Sequence, residues 1–179
     1  MRDIAPRYAI VTARPRDLPL LPAIELAAAR MLAAWLEEEA LAETTNIEQL
    51  ADAQRDGRLW VALDDERPVG FAYAKRLEPA FAHLEEIDVH PDHGHRGIGR
   101  RLLTTVSTWA ANRAYRGVTL TTFRDPPWNM PFYASAGFEL VSPTEMRPAL
   151  AALFERESAR GLDSARRVVM EQRNSAQTK

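Results

Sequence analysis

The segment HPDHGHRGIGRRLL, residues 90–103, places two glycines, Gly97 and Gly99, among basic residues directly before an apolar-periodic run. The start of a helix leaves its first backbone N–H groups without intrahelical partners and carries a partial positive charge. Glycines let another molecule approach this backbone closely, because they carry no Cβ. Nearby positive charge comes from three arginines, Arg96, Arg100 and Arg101. The pattern predicts an anion site at a helix N-terminus, with a pyrophosphate as its natural ligand.

Two common phosphate loops do not fit this segment. A P-loop ends in Gly-Lys-Ser/Thr, which the stretch GIGRRL lacks. A Rossmann fingerprint opens the first strand–helix unit and has an acidic residue about 20 positions later, whereas this loop lies mid-chain after several predicted strands. A nucleotide-binding module is therefore disfavoured. A tight turn whose glycines only relieve strain stays open as an alternative.

Two adjacent carboxylates, Glu85 and Glu86, lie in the strand-like segment HLEEIDV before the loop. Burying an unpaired carboxylate is costly, so a carboxylate in the middle of a strand makes at least one of the two a candidate functional residue. Strict alternation predicts one face with His83, Glu85, Ile87 and Val89 and an opposite face with Leu84, Glu86 and Asp88. A β-bulge would change this alternation, so it does not choose between the two carboxylates.

The elements that must position these residues follow from periodicity and turn signals. Strands are predicted at 8–12, 83–89, 118–123, 138–141 and 166–172, with a hairpin over 58–77 that turns at 64–67. Helices are predicted at 14–39 with Asp17 as N-cap, 44–57 with Thr45 as N-cap and Gly57 as stop, 98–116 ended by Gly117, 132–137, and 144–161. The strand–helix–strand unit from Val89 to Val118 is expected to be parallel. We interpret residues 1–179 as one mixed α/β domain with a frayed tail at 173–179.

Composition limits the classes of function. The 179-residue chain has no cysteine, which excludes disulfides, thiolate metal sites and a cysteine nucleophile. Its net charge of −2 gives no global attraction to nucleic acid or to an acidic membrane. Without an N-terminal apolar region or a long apolar run, we expect a cytoplasmic protein. A metal site at His90, His93 and His95 is disfavoured because it would compete with the anion, so no metal is expected.

The stretches LEEIDVHPDHGHRGIGRRLL and WNMPFYASAGFELV together resemble the GNAT superfamily of N-acetyltransferases. The acyl-CoA loop of that family reads Gln/Arg-x-x-Gly-x-Gly/Ala, and Gly97, Ile98 and Gly99 match its core. The second family segment is matched by Asn129, Tyr133, Gly137 and Phe138. The chain departs from the family at Gly94, where Gln or Arg is usual, and at His95, where Gly or Arg is common. The resemblance implies an α/β fold with a mostly antiparallel sheet, a central parallel pair and flanking helices.

The resemblance also implies direct transfer of an acetyl group from acetyl-CoA to a primary amine. Pantetheine would lie where two central strands splay apart, against the backbone of the first strand, and the glycine loop would hold the pyrophosphate. The implied cofactor-binding residues are Ile87, Val89, Gly94, His95, Arg96, Gly97, Ile98, Gly99, Arg100 and Asn129. Structural alternatives are a core role for Tyr133 and a helix-capping role for Asn129.

In the implied reaction Tyr133 is the candidate general acid at the thioester sulfur. Glu85 and Glu86 are the candidate bases, and Glu85 is favoured because its position is often acidic in the family. His83 and Trp128 are candidates for the acceptor pocket. The acceptor can be a small-molecule amine or a protein amine, and homodimers are common in the family. The alternative from another class is a non-catalytic acyl-CoA-binding regulatory domain.

Overall fold

One seven-stranded sheet organises the protein, which is described here from a computed structural model covering residues 7–159 and 162–174. The strands are β1 (Tyr8–Thr12), β2 (Leu59–Asp64), β3 (Arg67–Lys75), β4 (Phe81–Val89), β5 (Gly117–Phe123), β6 (Glu139–Val141) and β7 (Arg167–Arg173). Their order across the sheet is β1-β2-β3-β4-β5-β7-β6. The β4–β5 pair is parallel and the other pairs are antiparallel, which confirms the predicted fold class. Of the frayed tail predicted at 173–179, Arg173 instead belongs to β7, and residues 175–179 lie outside the described residues.

Six α-helices flank this sheet in the described part of the chain. They are α1 (Leu21–Ala29), α2 (Glu38–Ala42), α3 (Ile47–Arg55), α4 (Ile98–Asn112), α5 (Asn129–Ala134) and α6 (Pro148–Ala159). Short 3₁₀ turns precede or connect several of them, as at Pro15–Leu20 and Arg30–Leu32. None of the described helices is both long and apolar enough to cross a membrane.

The single long helix predicted over 14–39 is wrong. The segment is divided into the 3₁₀ turn Pro15–Leu20, α1, the 3₁₀ turn Arg30–Leu32 and α2. Proline lacks the N–H that a continuous helix needs, so Pro19 and Pro22 confine α-helix to the residues from Leu21 onwards. Asp17 caps no α-helix, because its carboxylate accepts the backbone N–H of Arg14 at 2.8 Å.

Other helix boundaries also differ from the sequence-based expectation: α5 spans Asn129–Ala134 and not 132–137, and α6 spans Pro148–Ala159 and not 144–161. Asn46, and not Thr45, caps α3, since its Oδ1 accepts the N–H of Glu48 at 2.7 Å. The helix α4 ends at Asn112, and Gly117 is already the first residue of β5. A left-handed residue is needed between the two elements, and Ala114 supplies it at φ +60°.

The sheet carries an apolar layer on each face. On one face α4 packs through Ile98, Leu102, Leu103, Val106 and Ala110 against the central strands. On the other face α1 and α3 contribute Leu21, Ile24, Leu50 and Ala53, which pack with side chains of β2 and β3. Helical spacing therefore buries one stripe of each helix, and the sheet between them holds the functional residues in place.

The sheet opens in its middle, between β4 and β5. These strands pair only from Phe81 with Gly117 to Leu84 with Leu120. Beyond that point β4 stays paired with β3, and β5 stays paired with β7. The second half of β4 therefore presents a strand edge that β5 does not cover.

Gly117 tests how closely β5 and β7 approach. A Cβ at this position would overlap the carbonyl oxygen of Gln172 on β7. We expect Gly117→Ala to lower the free energy of unfolding by about 1–3 kcal/mol, measured by urea denaturation. Gly57→Ala is the comparison, since it meets no steric contact but forces alanine to φ +64°, which costs about 1–2 kcal/mol. A fully stable Gly117→Ala variant would contradict the described β5–β7 register.

Candidate active site

A cleft of about 720 Å³ lies where β4 and β5 separate. Its walls come from α1 and the segment after it, the second half of β4, the end of β5, the loop before α5, and α6. Clefts of this size at a break in a sheet are typical of small-molecule sites. The predicted catalytic residues Glu85, Glu86 and Tyr133 all line this cleft, together with Trp128 and Asn129.

A β-bulge in β4 decides which way the two glutamates point. Tyr73 of β3 pairs with Glu86, but Ala74 pairs with Leu84, so Glu85 is an extra residue without a partner across the strands. The alternation predicted from sequence is therefore wrong beyond Leu84. Ile87 and Val89 pack with the α4 side of the sheet, and the carboxylates of Glu86 and Asp88 meet that of Glu25 on the other side.

Glu85 is held by a neighbour. Its carboxylate forms an ion pair with Nζ of Lys75, and its Oε2 lies 3.9 Å from Nε2 of His83. His83 itself is buried, and its Nδ1 is 2.9 Å from Oγ1 of Thr119. Burial lowers the pKa of His83 to about 3, so this ring is neutral. His83 does not line the cleft, although Glu85, two residues later in β4, does.

Glu86 belongs to a group of three acids that we call the carboxylate cluster: Glu25, Glu86 and Asp88. Their oxygens lie within 4.8 Å of one another. Burial and the charges of Glu25 and Glu85 raise the pKa of Glu86 to about 8. The pKa of Asp88 is also raised, by burial and by Glu86. A carboxylate with a pKa near neutrality is well matched to general base catalysis.

Sequence reasoning missed Glu25 and the role of Asp88. Glu25 is buried on α1, where its carboxylate accepts the N–H of Thr45 at 2.9 and 3.0 Å and its hydroxyl at 3.0 Å. Burial raises the pKa of Glu25 despite these bonds. A lone carboxylate within the apolar stretch LPAIELAAA is the signal that could have drawn attention to it. Among the described residues, the carboxylate cluster is the one group of acidic or histidine side chains close enough together to hold a metal ion. Close carboxylates alone do not assign a metal site.

Tyr133 lies on α5 at the side of the cleft and is 8% exposed. Its ring packs edge-on against Phe132 and Phe138, with centroid distances of 5.1 and 6.0 Å. Burial and the charges of Glu86 and Asp88 raise the pKa of Tyr133, so its hydroxyl stays protonated at neutral pH. The phenol is therefore available as a proton donor.

Asn129 and Trp128 border the same cleft just before and at the start of α5. The side-chain amide of Asn129 donates to Oγ1 of Thr122 at 2.9 Å and to the carbonyl of Phe123 at 3.3 Å, which ties α5 to the end of β5. Trp128 is 41% exposed and meets the ring of Trp35 edge-on at 5.1 Å. Trp35 comes from the segment between α1 and α2, so the two rings join two walls of the cleft.

The glycine loop lies beyond the end of β4 and leads into α4. Gly97 precedes the helix at φ +76°, and a Cβ there would meet no atom within 4 Å. No side chain caps this helix start, and its first N–H groups have no intrahelical acceptor. A Cβ on Gly99 would contact Cζ of Phe132 at 3.4 Å and Cγ2 of Val89 at 3.9 Å. The helix start therefore adjoins the cleft at Val89 and α5.

The loop arginines are held in different ways. Arg96 donates to the hydroxyl of Tyr8 at 2.6 Å, and Arg100 contacts Oγ of Ser135. Arg101 donates to the carbonyl of Tyr8 at 2.8 Å, so its guanidinium faces β1 and not the helix start. His95 has a positive φ of 57°, whereas Gly94 has an ordinary φ of −61°.

The raised pKa of Glu86 has a cost in stability. Its pKa is about 8 in the folded protein against an ordinary value of 4.5, so the stability of the fold falls as the pH rises from 4.5 to 8. We expect Glu86→Gln to have a Tm higher than that of the wild type by about 2 °C or more at pH 8, with little difference at pH 5. Differential scanning calorimetry at both pH values measures this. Exposed Glu39→Gln is the control and should match the wild type at each pH; equal Tm differences at both pH values would contradict the assignment.

Comparison with known proteins agrees with this architecture. The protein is similar in structure to the PaiA N-acetyltransferase of Thermoplasma acidophilum, solved with coenzyme A (TM-score 0.72, 18% identity, 93% of this chain and 99% of that chain). It is also similar to the ribosomal-protein-S18-alanine N-acetyltransferase of Escherichia coli (TM-score 0.66, 17% identity, 96% and 98%). N-acetylglutamate synthase of Neisseria gonorrhoeae, solved with coenzyme A and N-acetyl-glutamate, is similar over 93% of this chain and 35% of its own (TM-score 0.69, 17% identity).

The sequence itself identifies the family. The profile described as "Acetyltransferase (GNAT) family" matches residues 22–138, which is more than half of the 179-residue chain. This span contains all of α1 except Leu21, the opened strands, the glycine loop and Tyr133. The chain therefore belongs to the GNAT acetyltransferase family.

Proposed function

We propose that this protein is an N-acetyltransferase that transfers the acetyl group of acetyl-CoA directly to a primary amine. The observation that carries the proposal is the opening between β4 and β5. A raised-pKa carboxylate, a protonated tyrosine and an uncapped helix start all adjoin this one opening. The cytoplasmic location and the homodimer stay predictions.

Backbone groups of the chain suit two polar parts of acetyl-CoA, its extended amide chain and its pyrophosphate. The backbone of Ile87 and Val89 lies on the part of β4 that β5 does not cover, where an extended amide chain can add like a strand. The N–H groups from His95 to Arg100 suit a pyrophosphate, because Gly97 leaves open space and the helix start favours negative charge. The N–H of Gly94 donates instead to the carbonyl of Pro91 at 2.9 Å. Acetyl-CoA supplies an activated acetyl group as a thioester. Asn129 keeps α5 against β5 and so holds Tyr133 beside the opening.

The proton transfers fall to Glu86 and Tyr133. An ammonium must lose a proton before its nitrogen can attack, and the thiolate that leaves must gain one. The sequence alone favours Glu85 as the base. The geometry supports Glu86 instead, since the carboxylate of Glu85 is engaged by Lys75 and that of Glu86 faces other acids that favour proton uptake. The Tyr133 hydroxyl is the donor to the thiolate.

The first experiment combines acetyl-CoA binding with turnover. Thermal shift in acetyl-CoA reports binding, and release of free thiol with a panel of amines reports transfer; the chain has no cysteine, so it adds no thiol background.

We expect Gly99→Glu to lose most of the thermal shift, because it adds a negative charge to the helix start. Thr108→Glu places the same charge on an exposed site of α4 and should keep the shift. A shift without thiol release for any amine would favour a non-catalytic acyl-CoA-binding domain.

Tyr133→Phe tests the proton donor. We expect kcat to fall about 10²-fold, with the KM for acetyl-CoA nearly unchanged, because the ring still packs but the hydroxyl is gone. Steady-state thiol release measures both constants. Tyr115→Phe, which removes a hydroxyl outside the cleft, should leave both unchanged. If single-turnover chemistry in Tyr133→Phe matches the wild type, Tyr133 is not the acid.

A further inference from the structure

The cleft has two chemically different parts. One is acidic and consists of the carboxylate cluster. The other is apolar and is lined by Met31, Leu32 and Leu36 after α1, by Trp128 before α5, and by Leu153 of α6. Met31 and Trp128 are 45% and 41% exposed. Large apolar side chains left open inside a cleft indicate contact with an apolar part of a ligand.

The basic residues of the cleft do not neutralise the carboxylate cluster. Lys75 pairs with Glu85, Arg167 pairs with Glu157 at 2.6 Å, and Arg156, an exposed residue of α6 at the edge of the cleft, forms no salt bridge with the cluster. Among the described residues no salt bridge reaches Glu25, Glu86 or Asp88 (the three cluster members), and Oδ2 of Asp88 is buried without a hydrogen-bond partner. The described residues therefore place no cation on the carboxylate cluster.

A primary ammonium matches this deficit. It carries one positive charge and three N–H donors, and the cluster offers three carboxylates whose oxygens lie within 4.8 Å of one another. A carboxylate on the carbon next to the amine would add a negative charge beside the same acids. Such like-charge contact is strongly unfavourable, and Lys75 is already engaged by Glu85.

We propose that the acceptor is a small primary amine with an apolar body and no carboxylate beside its amino group. This inference rests on the acetyltransferase function proposed above. The ammonium binds at the carboxylate cluster, where Glu86 can take its proton, and the apolar body lies against Met31 and Trp128. The contact between Trp35 and Trp128 joins two walls of the 720 Å³ cleft, which favours a small molecule over a folded protein.

Three matched amines test whether a carboxylate beside the amino group disfavours an acceptor. They are 2-phenylethylamine, phenylalanine, and phenylalanine amide, which keeps the size of the amino acid but not its negative charge. We expect kcat/KM in the thiol-release assay to be at least about 10-fold higher for 2-phenylethylamine and for the amide than for phenylalanine. Equal or better use of phenylalanine would overturn the proposal. A short peptide that is clearly preferred over all three would instead identify a protein amine and also overturn it.

Two exposed apolar residues test the apolar part. We expect Met31→Gln to raise the KM for 2-phenylethylamine about 5-fold or more and to leave the KM for acetyl-CoA unchanged. Leu140→Gln is the control, because Leu140 is 56% exposed on β6 and lies outside the cleft lining. An unchanged amine KM in Met31→Gln would contradict the proposed position of the apolar body.

Failure of the proposal can be separated from failure of the acetyltransferase function by a binding readout. Isothermal titration of the protein with 2-phenylethylamine and with phenylalanine, both in saturating coenzyme A, needs no turnover. Tighter binding of 2-phenylethylamine supports the substrate class even if no amine releases thiol, in which case only the catalytic function fails. No binding of either amine, or equal binding of both, overturns the substrate class while leaving acetyl transfer to another acceptor testable by thiol release.

Discussion

The structure depends on one interruption of backbone pairing, where β4 and β5 separate after Leu84 and Leu120. Backbone N–H and C=O groups rarely stay unpaired in a protein interior, so an uncovered strand edge inside a sheet requires a partner. Neighbouring strands keep each half of the opening in place, β3 along β4 and β7 along β5. The opening thus lies between two strands that are each paired on their other side, with the start of α4 beyond its end and α5 at its side.

The bulge at Glu85 lies in the same part of β4, and it determines which carboxylates form the site. One extra residue turns Glu86 and Asp88 toward α1, where Glu25 completes the carboxylate cluster. Three acids this close repel one another, and the fold holds them together only because α1 is fixed by packing and by the bonds from Thr45 to Glu25. The raised pKa of Glu86 lowers the free energy of unfolding near neutral pH, and it gives the site a carboxylate that binds protons in that pH range.

Local patterns predicted most elements well. The hairpin over β2 and β3, the strands β1 and β5 and the start of α4 at Ile98 follow from alternation, turn residues and helical spacing. The errors fall where local signals compete. Prolines kept the first turns of the segment predicted as one long helix out of the α-helical conformation, and Thr45, a good capping residue, donates instead to the buried carboxylate of Glu25.

The sequence by itself determined the family, the glycine loop before α4 and the candidacy of Tyr133 and the two glutamates, because each of these signals is contiguous in the chain. Only the tertiary structure decided which glutamate faces the cluster, that His83 is buried and neutral, and that Glu25 belongs to the site. The physical reason is that strand register and helix docking are set by packing across the whole sheet. A one-residue bulge reverses the side to which every later side chain points, and no local pattern around Glu25 encodes its distance from Glu86.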